Sequence, residues 1–588
     1  MSTTLLNNVD LWTSAVHHKS TAGRGSNRKL ELAGINKLRE LILELAVRGK
    51  LVPQNPDDEP ASELLKRIEA EKAQLIKDGK LKKQKPLTPV TDEEKPFELP
   101  QGWEWSRLGA ISVANTGYAF KSSQYTEKGT FVLRVTNIST DGKINSSDAK
   151  YICEQSANSE YKNFSLEAGD VLLVMVGGSL GKIGIVGADV LPAVLNQNMW
   201  KMQRFGGIEK DYFVSMLRFV NENQVTITNS THGHLSQGEY LSKLAPLPPL
   251  AEQQRIVAKV DELMALCDQL GQQSEHQLDA HQQLTETLLA TLTNATSAQE
   301  LSDNWQRLAQ HFDLLFSGPM GTWAIDRLKD TILQLAVMGK LVPQNPDDEP
   351  AAELLKRIDA EKARLVKEGK IKKPKPLPPV SNDEKPFELP QRWEWARLSQ
   401  ILPKITDGTH HSPTNTETGD FLYISAKNIK NEGVLLSNAT YVTKEVHEEI
   451  FARCDPEFGD ILYIKDGATT GIATINNLTI PFSMLSSVAL LKVLPKLNNN
   501  QFILNTLRSP LFYQAMREGM TGVAITRVTL KKLELATLPL PPLAEQQRIV
   551  AKVDELFALC DQLKERLQQA SDTQLNLTDA IVEKALNS

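Results

Sequence analysis

Apolar positions along this chain fall into two rhythms that alternate. Downstream of Pro249, residues 251–270 place Ile256, Val260, Leu263, Cys267 and Leu270 at spacings of four and three. A later run places Ile549, Val553, Leu556, Cys560, Leu563 and Leu567 the same way. This is the a/d seam of a coiled coil. The first run blurs between Gly271 and Gln283 and resumes at Leu284, Leu288 and Leu292. A helix of about 40 residues would be about 60 Å long. An amphipathic helix lying on one domain shows the same pattern, but two matched copies favour packing on each other. Shorter helices are expected at 35–47, 61–77, 325–337 and 351–367. The regions between read as mixed α/β. Short apolar, β-branched runs at 131–135, 171–176 and 183–186, and at 421–424, 461–464 and 472–475, predict strands, with helices near 212–220 and 502–507.

The pattern is duplicated. Leu-Val-Pro-Gln-Asn-Pro-Asp-Asp-Glu-Pro-Ala at 51–61 recurs unchanged at 341–351. Lys-Pro-Phe-Glu-Leu-Pro at 95–100 recurs at 385–390, and Trp103-Glu-Trp105 recurs as Trp393-Glu-Trp395. The block at 246–263, which contains Leu-Ala-Glu-Gln-Gln-Arg-Ile-Val, returns at 539–556. Residues 109–245 and 399–538 diverge. So long a period excludes a solenoid, whose units run about 20–50 residues. A whole module has been duplicated in tandem. The module boundaries look circular, because the helix at 35–47 begins where the C-terminal one stops. The N-terminal helix should therefore dock beside the C-terminal helix. The linkers run basic, then proline-rich, then acidic, which reads as extended and solvated. Docking of a partner subunit is the alternative, and near-verbatim repetition is unusual for a spacer.

Composition narrows the function. The 588 residues carry 66 basic and 72 acidic side chains, a net charge of -6. Binding of a polyanion through bulk charge is excluded, so any such partner must meet a local patch or a complex. Residues 109–250 hold 12 basic against 12 acidic side chains, and residues 399–543 hold 13 against 13. Cys153, Cys267, Cys454 and Cys560 form no CxxC pair and read as reduced structural thiols in a cytosol. No apolar run nears the roughly 18 residues of a membrane span, and the polar N-terminus does not read as a signal peptide. Gly177 to Lys182 fails as a phosphate loop, since three residues, not four, separate the glycines and Ile183 follows the lysine. Glu93-Glu-Lys95 reads as a solvated charge cluster rather than a nuclease motif. His410-His411 lacks an evident third metal ligand. No adenine-methylation motif and no S-adenosylmethionine loop is present, so no credible active site emerges.

Two unlike domains on two like frames suit recognition of two targets at a fixed separation. A DNA duplex offers such a lattice. The Leu-Pro-Pro-Leu-Ala-Glu-Gln-Gln-Arg-Ile-Val runs from Leu247 and Leu540, the Leu99-Pro-x-x-Trp-Glu-Trp105 segment and its repeat, the Gly-Asp-[Val/Ile]-Leu strands at 169–172 and 459–462, and Thr406-Asp-Gly-Thr-His410 resemble the specificity subunit of type I restriction–modification enzymes, most closely its IB branch.

That resemblance implies two α/β target-recognition domains joined by two long helices in an antiparallel coiled coil with a pseudo-twofold repeat. Each domain would read half of a gapped double-stranded DNA site. The subunit would be non-catalytic and cytoplasmic, with no cofactor of its own. Two methyltransferase subunits would supply S-adenosylmethionine-dependent adenine methylation. Restriction/translocase subunits would supply ATP- and Mg-dependent cleavage. The expected organisation is a helical segment at 1–50, a helix plus linker at 51–108, recognition domain 1 at 109–250, and central helices at 251–340. The second linker spans 341–398, recognition domain 2 spans 399–543, and the last helix spans 544–588.

Candidate DNA-facing residues are loop amides, hydroxyls, bases and imidazoles, the groups that pair with base edges and phosphates. In the first domain these are Lys121, Arg134, Asn137, Ser179, Lys182, Asn196, Gln197, Asn198, His232, His234 and Ser236. In the second they are His410, His411, Ser425, Lys427, Asn428, Lys465, Thr469, Thr470, Ser486 and Arg527. Asn196-Gln-Asn198 reads equally as a loop satisfying its own backbone, and Asp407-Gly408 reads as a turn. The rival class is a non-DNA scaffold with two ligand-binding domains on a coiled coil.

Overall fold

The computed structural model describes residues 8–19, 29–84, 86–139, 142–225, 235–518, 520 and 527–587. They form two compact units, one taking in 30–274 with 574–587 and the other 275–573. Two helices of 45 residues each, Leu250–Asn294 and Leu543–Asn587, contribute opposite ends to each unit.

In the first unit, α1 (Ala33–Val47) and α2 (Ala61–Lys77) precede the variable region. That region opens on β1 (Glu104–Arg107). It continues through β2 (Ser112–Thr116), β3 (Thr130–Leu133), β4 (Tyr151–Ile152), β5 (Ser165–Leu166) and β6 (Val171–Val174), then β7 (Ile183–Ile185), β8 (Ala193–Leu195) and β9 (Met199–Arg204). After α3 (Lys210–Gln224) it closes on β10 (Leu244–Leu247). The incoming and outgoing strands β1 and β10 pair antiparallel, Trp105 opposite Pro246. The variable region is therefore a closed insert with its two ends side by side. Two four-stranded sheets run β4-β3-β8-β5 and β2-β9-β6-β7. Both faces of β6 are buried. Val171 and Leu173 join a core with Trp200, Tyr212, Phe213 and Leu217. Leu172 and Val174 join another with Phe131, Leu133 and Met199. Double burial is why this strand reads as an unbroken apolar run rather than an alternation.

The second unit repeats the plan. α4 (Gly321–Val337) and α5 (Ala351–Lys367) precede β11 (Glu394–Arg397), β12 (Lys404–Asp407), β13 (Phe421–Ile424), β14 (Ile429–Lys430) and β15 (Gly433–Val434). Then come β16 (Thr440–Val442), β17 (Ile461–Ile464), β18 (Ala473–Ile475), β19 (Phe482–Met484), β20 (Val488–Lys492), α6 (Asn500–Arg508) and β21 (Thr537–Leu540). Sheets run β12-β20-β17-β18 and β16-β13-β19, and β11 closes on β21 with Trp395 opposite Pro539. Ile461 and Tyr463 face one core, Leu462 and Ile464 the other.

The repeated Ala-Glu-Gln-Gln-Arg run opens each long helix and ties it to its unit. The Trp103 indole N–H donates to Glu252 Oε2 at 2.9 Å, and Gln54 donates to Oε1 at 2.8 Å. The Gln253 side chain accepts from the Glu209 backbone N–H (2.8 Å) and donates to the Pro248 carbonyl (3.0 Å). Arg255 grips Asp58 at 2.6 Å. Apart from the Gln54 bond, the copy matches: Trp393 to Glu545 at 3.0 Å, Gln546 with Asn499 (3.0 Å) and Pro541 (3.1 Å), Arg548 with Asp348 at 2.6 Å. Glu252 and Glu545 are buried, which pushes their carboxyls up, while the indole N–H and the arginine pull the other way. Removing an indole would strand a buried acceptor, at a cost of about 1–3 kcal/mol.

The linkers are not free spacers. Arg107, buried, donates to the carbonyls of Thr88 and Pro89 within the linker, to the Ser242 carbonyl beside the outgoing strand, and to both Glu94 oxygens at 2.7 and 2.8 Å. Arg397 does the same with Pro378, Pro379, Leu535 and Glu384. Each linker is thus a strap clamped onto its own domain, and Glu94, exposed among its charged neighbours, is also paired with Arg107 through both oxygens. Near-verbatim repetition follows, because the clamp needs the same partners at the same spacing.

Within each unit the apolar seam of a long helix has identifiable partners. Ile256 to Leu270 belong to the first unit and Ile549 to Leu567 to the second. Leu263 and Cys267, with Val260 and Leu270, meet α1 through Leu38, Leu41, Ile42 and Leu45, and meet Ile581, Val582 and Ala585 from the end of the second long helix. In the other unit Ile549, Val553 and Cys560 meet Ile325 and Ile332 of α4 and Leu289 and Leu292 from the end of the first. The first helix is continuous through Gly271–Gln283, where Ser274 is buried, and its buried positions beyond that stretch are Thr285, Leu289 and Leu292, with Leu284 exposed. An antiparallel pair has this form, each front meeting the other's tail. The expected docking of the N-terminal helix on the C-terminal one is present. Lys37 pairs with Asp579, and the Lys50 ammonium caps the Leu586 carbonyl at 2.6 Å. Its counterpart Lys340 caps Thr293 and Ala295 at 2.7 and 2.8 Å. A cation at a helix C-terminus is electrostatically favoured.

Deleting residues 1–47 should therefore expose Leu263, Cys267 and Ala585 and make residues 574–588 the first site of limited proteolysis; unchanged protection there would contradict this packing. The strap should be acid-labile. Arg397 and the Ser381 backbone hold Glu384 down to about 2 from its usual 4.5. A depressed carboxylate stabilises above its unfolded value and loses that contribution as pH falls through the folded one. The protection of residues 378–389 against hydrogen exchange, relative to the intrinsic rate at each pH, should fall between about pH 4.5 and 2, and Glu384→Gln should show the reduced protection at neutral pH with that pH step removed.

Candidate nucleic-acid interface

At one edge of each variable domain, four loops are stitched together by backbone hydrogen bonds. In the first domain Tyr118 N–H donates to Leu195 (2.9 Å), Met175 to Asn198 (3.2 Å) and Leu235 to Met175 (2.9 Å). In the second, Thr409 donates to Met484 (2.9 Å), Lys465 to Ser487 (2.9 Å) and Val528 to Lys465 (2.8 Å). The stitching matches position for position. The glycine before each first rung is required, because a Cβ on Gly117 would sit 2.2 Å from the Asn196 carbonyl oxygen, and one on Gly408 would sit 1.8 Å from that of Met484. Gly408 is thus a point of close backbone approach in a parallel bridge rather than the turn its sequence suggested.

What the rungs carry differs. In the first domain the edge is uncharged where the second is ionic: Thr116 and Met175 stand where Asp407 and Lys465 stand. Asn196 and Asn198 are half-buried and Gln197 is exposed. Their side-chain amides have no hydrogen-bond partner among the described residues, so this loop does not satisfy its own backbone with them. Lys121 and Ser236 are exposed, and Ser179 and Lys182 half-buried, on the flanking loops. Arg134 is already spent on Asp148 at 2.9 Å. Asn137 is buried, accepting from the Arg134 backbone N–H (3.0 Å) and donating to the Asn145 carbonyl (3.0 Å). His232 and His234 lie outside the described residues.

In the second domain Asp407, 1% exposed, is the hub. Its carboxylate takes the Arg453 guanidinium, lies 3.3 Å from His410 Nε2 and 3.6 Å from the Lys465 ammonium. Lys465, buried, also pairs with Asp466 at 3.0 Å, and Asp466 bridges through its backbone to Arg527. His410, His411, Lys427, Thr469 and Arg527 are exposed, and Ser425 and Ser486 half-buried. Asn428 and Thr470 are buried, and their polar groups shape their own loops: Asn428 repeats the role of Asn137 (3.1 Å to Ser425 and to Leu435), and Thr470 donates to Gly467 at 2.7 Å. The sequence reading missed Arg453. It lies 46 residues from Asp407 along the chain, and no local motif marks it.

Against two acids, the cluster gathers Lys465, Arg453 and the neighbouring Arg527, with the His410 imidazole beside them. A domain with balanced charge overall thus holds a local surplus of positive charge at its stitched edge. The described residues contain no cluster of histidine, cysteine and carboxylate groups able to hold a metal, and no helix among them is long and apolar enough to cross a membrane.

Residues 100–280 and 390–570 match the family described as Type I restriction modification DNA specificity domain. The chain is 40% identical over 612 residues to the Escherichia coli type I restriction enzyme EcoAI specificity subunit, covering 99% of each chain. It is also 40% identical over 621 residues to the Escherichia coli EcoEI specificity subunit, again covering 99% of each. Among solved structures, a chain of a type I R-M system aligns at 21% identity with a TM-score of 0.45, covering 84% of this chain and 99% of that one. The HsdS subunit from Thermoanaerobacter tengcongensis aligns at 20% identity with a TM-score of 0.37, covering 84% and 98%. Two such domains on a duplicated frame, with relatives matched from end to end, make this chain a member of the specificity subunits of type I restriction–modification enzymes.

Proposed function

We propose that each stitched edge reads one half of a bipartite, gapped duplex target, and that the two long helices set the gap. The observation that carries this reading is the constancy of the backbone stitching against the change of everything mounted on it, amides on one edge and an ionic cluster on the other. A scaffold that fixes backbone position while freeing side chains suits the reading of base edges, where donor and acceptor placement distinguishes the pairs. The subunit contributes no chemistry. The reacting groups belong to partners docked on the frame in the cytoplasm: two methyltransferase subunits that methylate adenine N6 from S-adenosylmethionine, and restriction subunits that translocate and cut DNA with ATP and Mg. The long duplicated straps, together with the end-to-end identity to EcoAI and EcoEI, support the IB branch.

Phosphate contacts supply most sequence-independent affinity, and neither domain carries net charge. The isolated subunit should therefore bind DNA weakly, with methyltransferase subunits closing around the duplex to supply the remainder.

Closure of β1 on β10 makes the first domain an exchangeable insert. Replacing residues 109–245 with the corresponding domain of a relative should change one half of the methylated sequence and leave the other half and the gap intact, as read by mapping methylated adenines in a genome carrying the assembled complex. A change in both halves would end independent readout. Inserting one heptad into each long helix should lengthen the tolerated gap while both half-sites stay the same; an unaltered gap would remove the spacer role.

A further inference from the structure

The second edge contains a device that its sequence did not disclose. Asp407 is a buried carboxylate, whereas the Arg453 side chain it holds is 51% exposed. A buried acid holding an exposed guanidinium fixes that group's direction without removing it from solvent. Only Nη2 is engaged, by Asp407 and by His410 Nε2 at 3.1 Å. Nε and Nη1 have no partner among the described residues, which leaves three N–H donors of a planar, permanently charged group. His410 follows Thr409, the first rung of the stitched edge, so the guanidinium is placed at that edge. Lys465 lies against the same carboxylate from a third element and is spent on Asp466, so Arg453 is the exposed cation that the hub orients.

We propose that Arg453, positioned by Asp407, determines specificity in the second half-site by reading a guanine. This inference rests on the reading of the edges as DNA-facing and names the residue and the base. An arginine offers donors only, so it selects the base whose groove edge offers acceptors only. In the major groove that is guanine, through N7 and O6, while adenine and cytosine present an amino donor and thymine a methyl group. An arginine that merely meets a phosphate needs no buried acid to aim it. Asp407 acts as the positioning residue: its loss frees the guanidinium to rotate while leaving the charge in place.

The test uses the full-length chain assembled with its methyltransferase subunits and a duplex library randomised across the second half-site, read as bound-sequence enrichment and as affinity against salt. Arg453→Lys and Arg453→Gln should each flatten one guanine preference, by about 5- to 150-fold, with the first half-site unchanged. Arg453→Lys should keep the salt slope, since the charge remains. Asp407→Asn should relax the same position and no other. Because Asp407 is buried, its variant is first checked by thermal melting. If it does not fold, the exposed Arg453 pair still decides. Unaltered guanine preference in both Arg453 variants overturns the proposal. So does a uniform loss across all sequences, with a salt slope shallower by about one for Gln but not Lys, which marks a phosphate contact. A parent complex that enriches no sequence at all would sink the DNA-reading function itself, a distinct result.

Discussion

The structure depends on how the first turn of each long helix is fastened. Glu252, Gln253 and Arg255 reach three different chain segments: the tryptophan before the incoming strand, the start of α3 inside the variable domain, and the loop ahead of α2. A single helical turn thereby fixes where the insert begins, where its last helix starts and where the frame helix points. Buried polar groups of this kind are costly when half-satisfied and specifying when complete. The second copy reproduces the tryptophan, helix-start and arginine contacts on Glu545, Gln546 and Arg548, but leaves Glu545 Oε1 without the donor that Gln54 gives Glu252 Oε1. The repeated motif is therefore a fastening rather than a binding site, and its preservation next to freely diverging sequence has a mechanical reason.

With the ends clasped, the domain interior can change. The pairing of β1 with β10 and of β11 with β21 uses backbone groups, so it tolerates any side chains that fit. The stitched edge uses the same economy. Its rungs are main-chain N–H and C=O groups, and its one side-chain demand is the absence of a Cβ at Gly117 and Gly408. Everything outward of those rungs is free, which is how an edge of amides and an edge of ions rest on one geometry.

Much of this was legible in the sequence, for identifiable reasons. α2 and α5 start directly after Pro60 and Pro350, which halt the preceding chain, so their extents follow from the pattern. The strands at 171–174 and 461–464 stand out because burial on both faces leaves them wholly apolar. What escaped depends on partners far apart in sequence. Nothing near Glu94 announces Arg107, because the acid sits inside a run of charges that reads as solvated. Asn137 and Asn428 look like surface amides, yet each spans a loop from within. Leu284 continues a spacing of four, but the seam passes through Thr285 and Leu289 instead, since α4 as well as the second long helix shapes that core. Arg453 needs the fold to bring it to Asp407.

Charge is the remaining constraint. Burying Asp407 and Lys465 is expensive unless each is compensated. Asp466 balances Lys465, which leaves Asp407 to hold Arg453. The surplus at this edge therefore arises from internal satisfaction of the buried members, not from an excess of basic residues, and a domain with equal numbers of acids and bases can still present a directed cation. Such a cation contributes little to affinity for a polyanion at large, because one contact releases few counterions. Its orientation is worth more than its charge. In the proposed reading, an edge of this kind discriminates among sequences better than it attracts nucleic acid, and attraction falls to the subunits that close around the duplex.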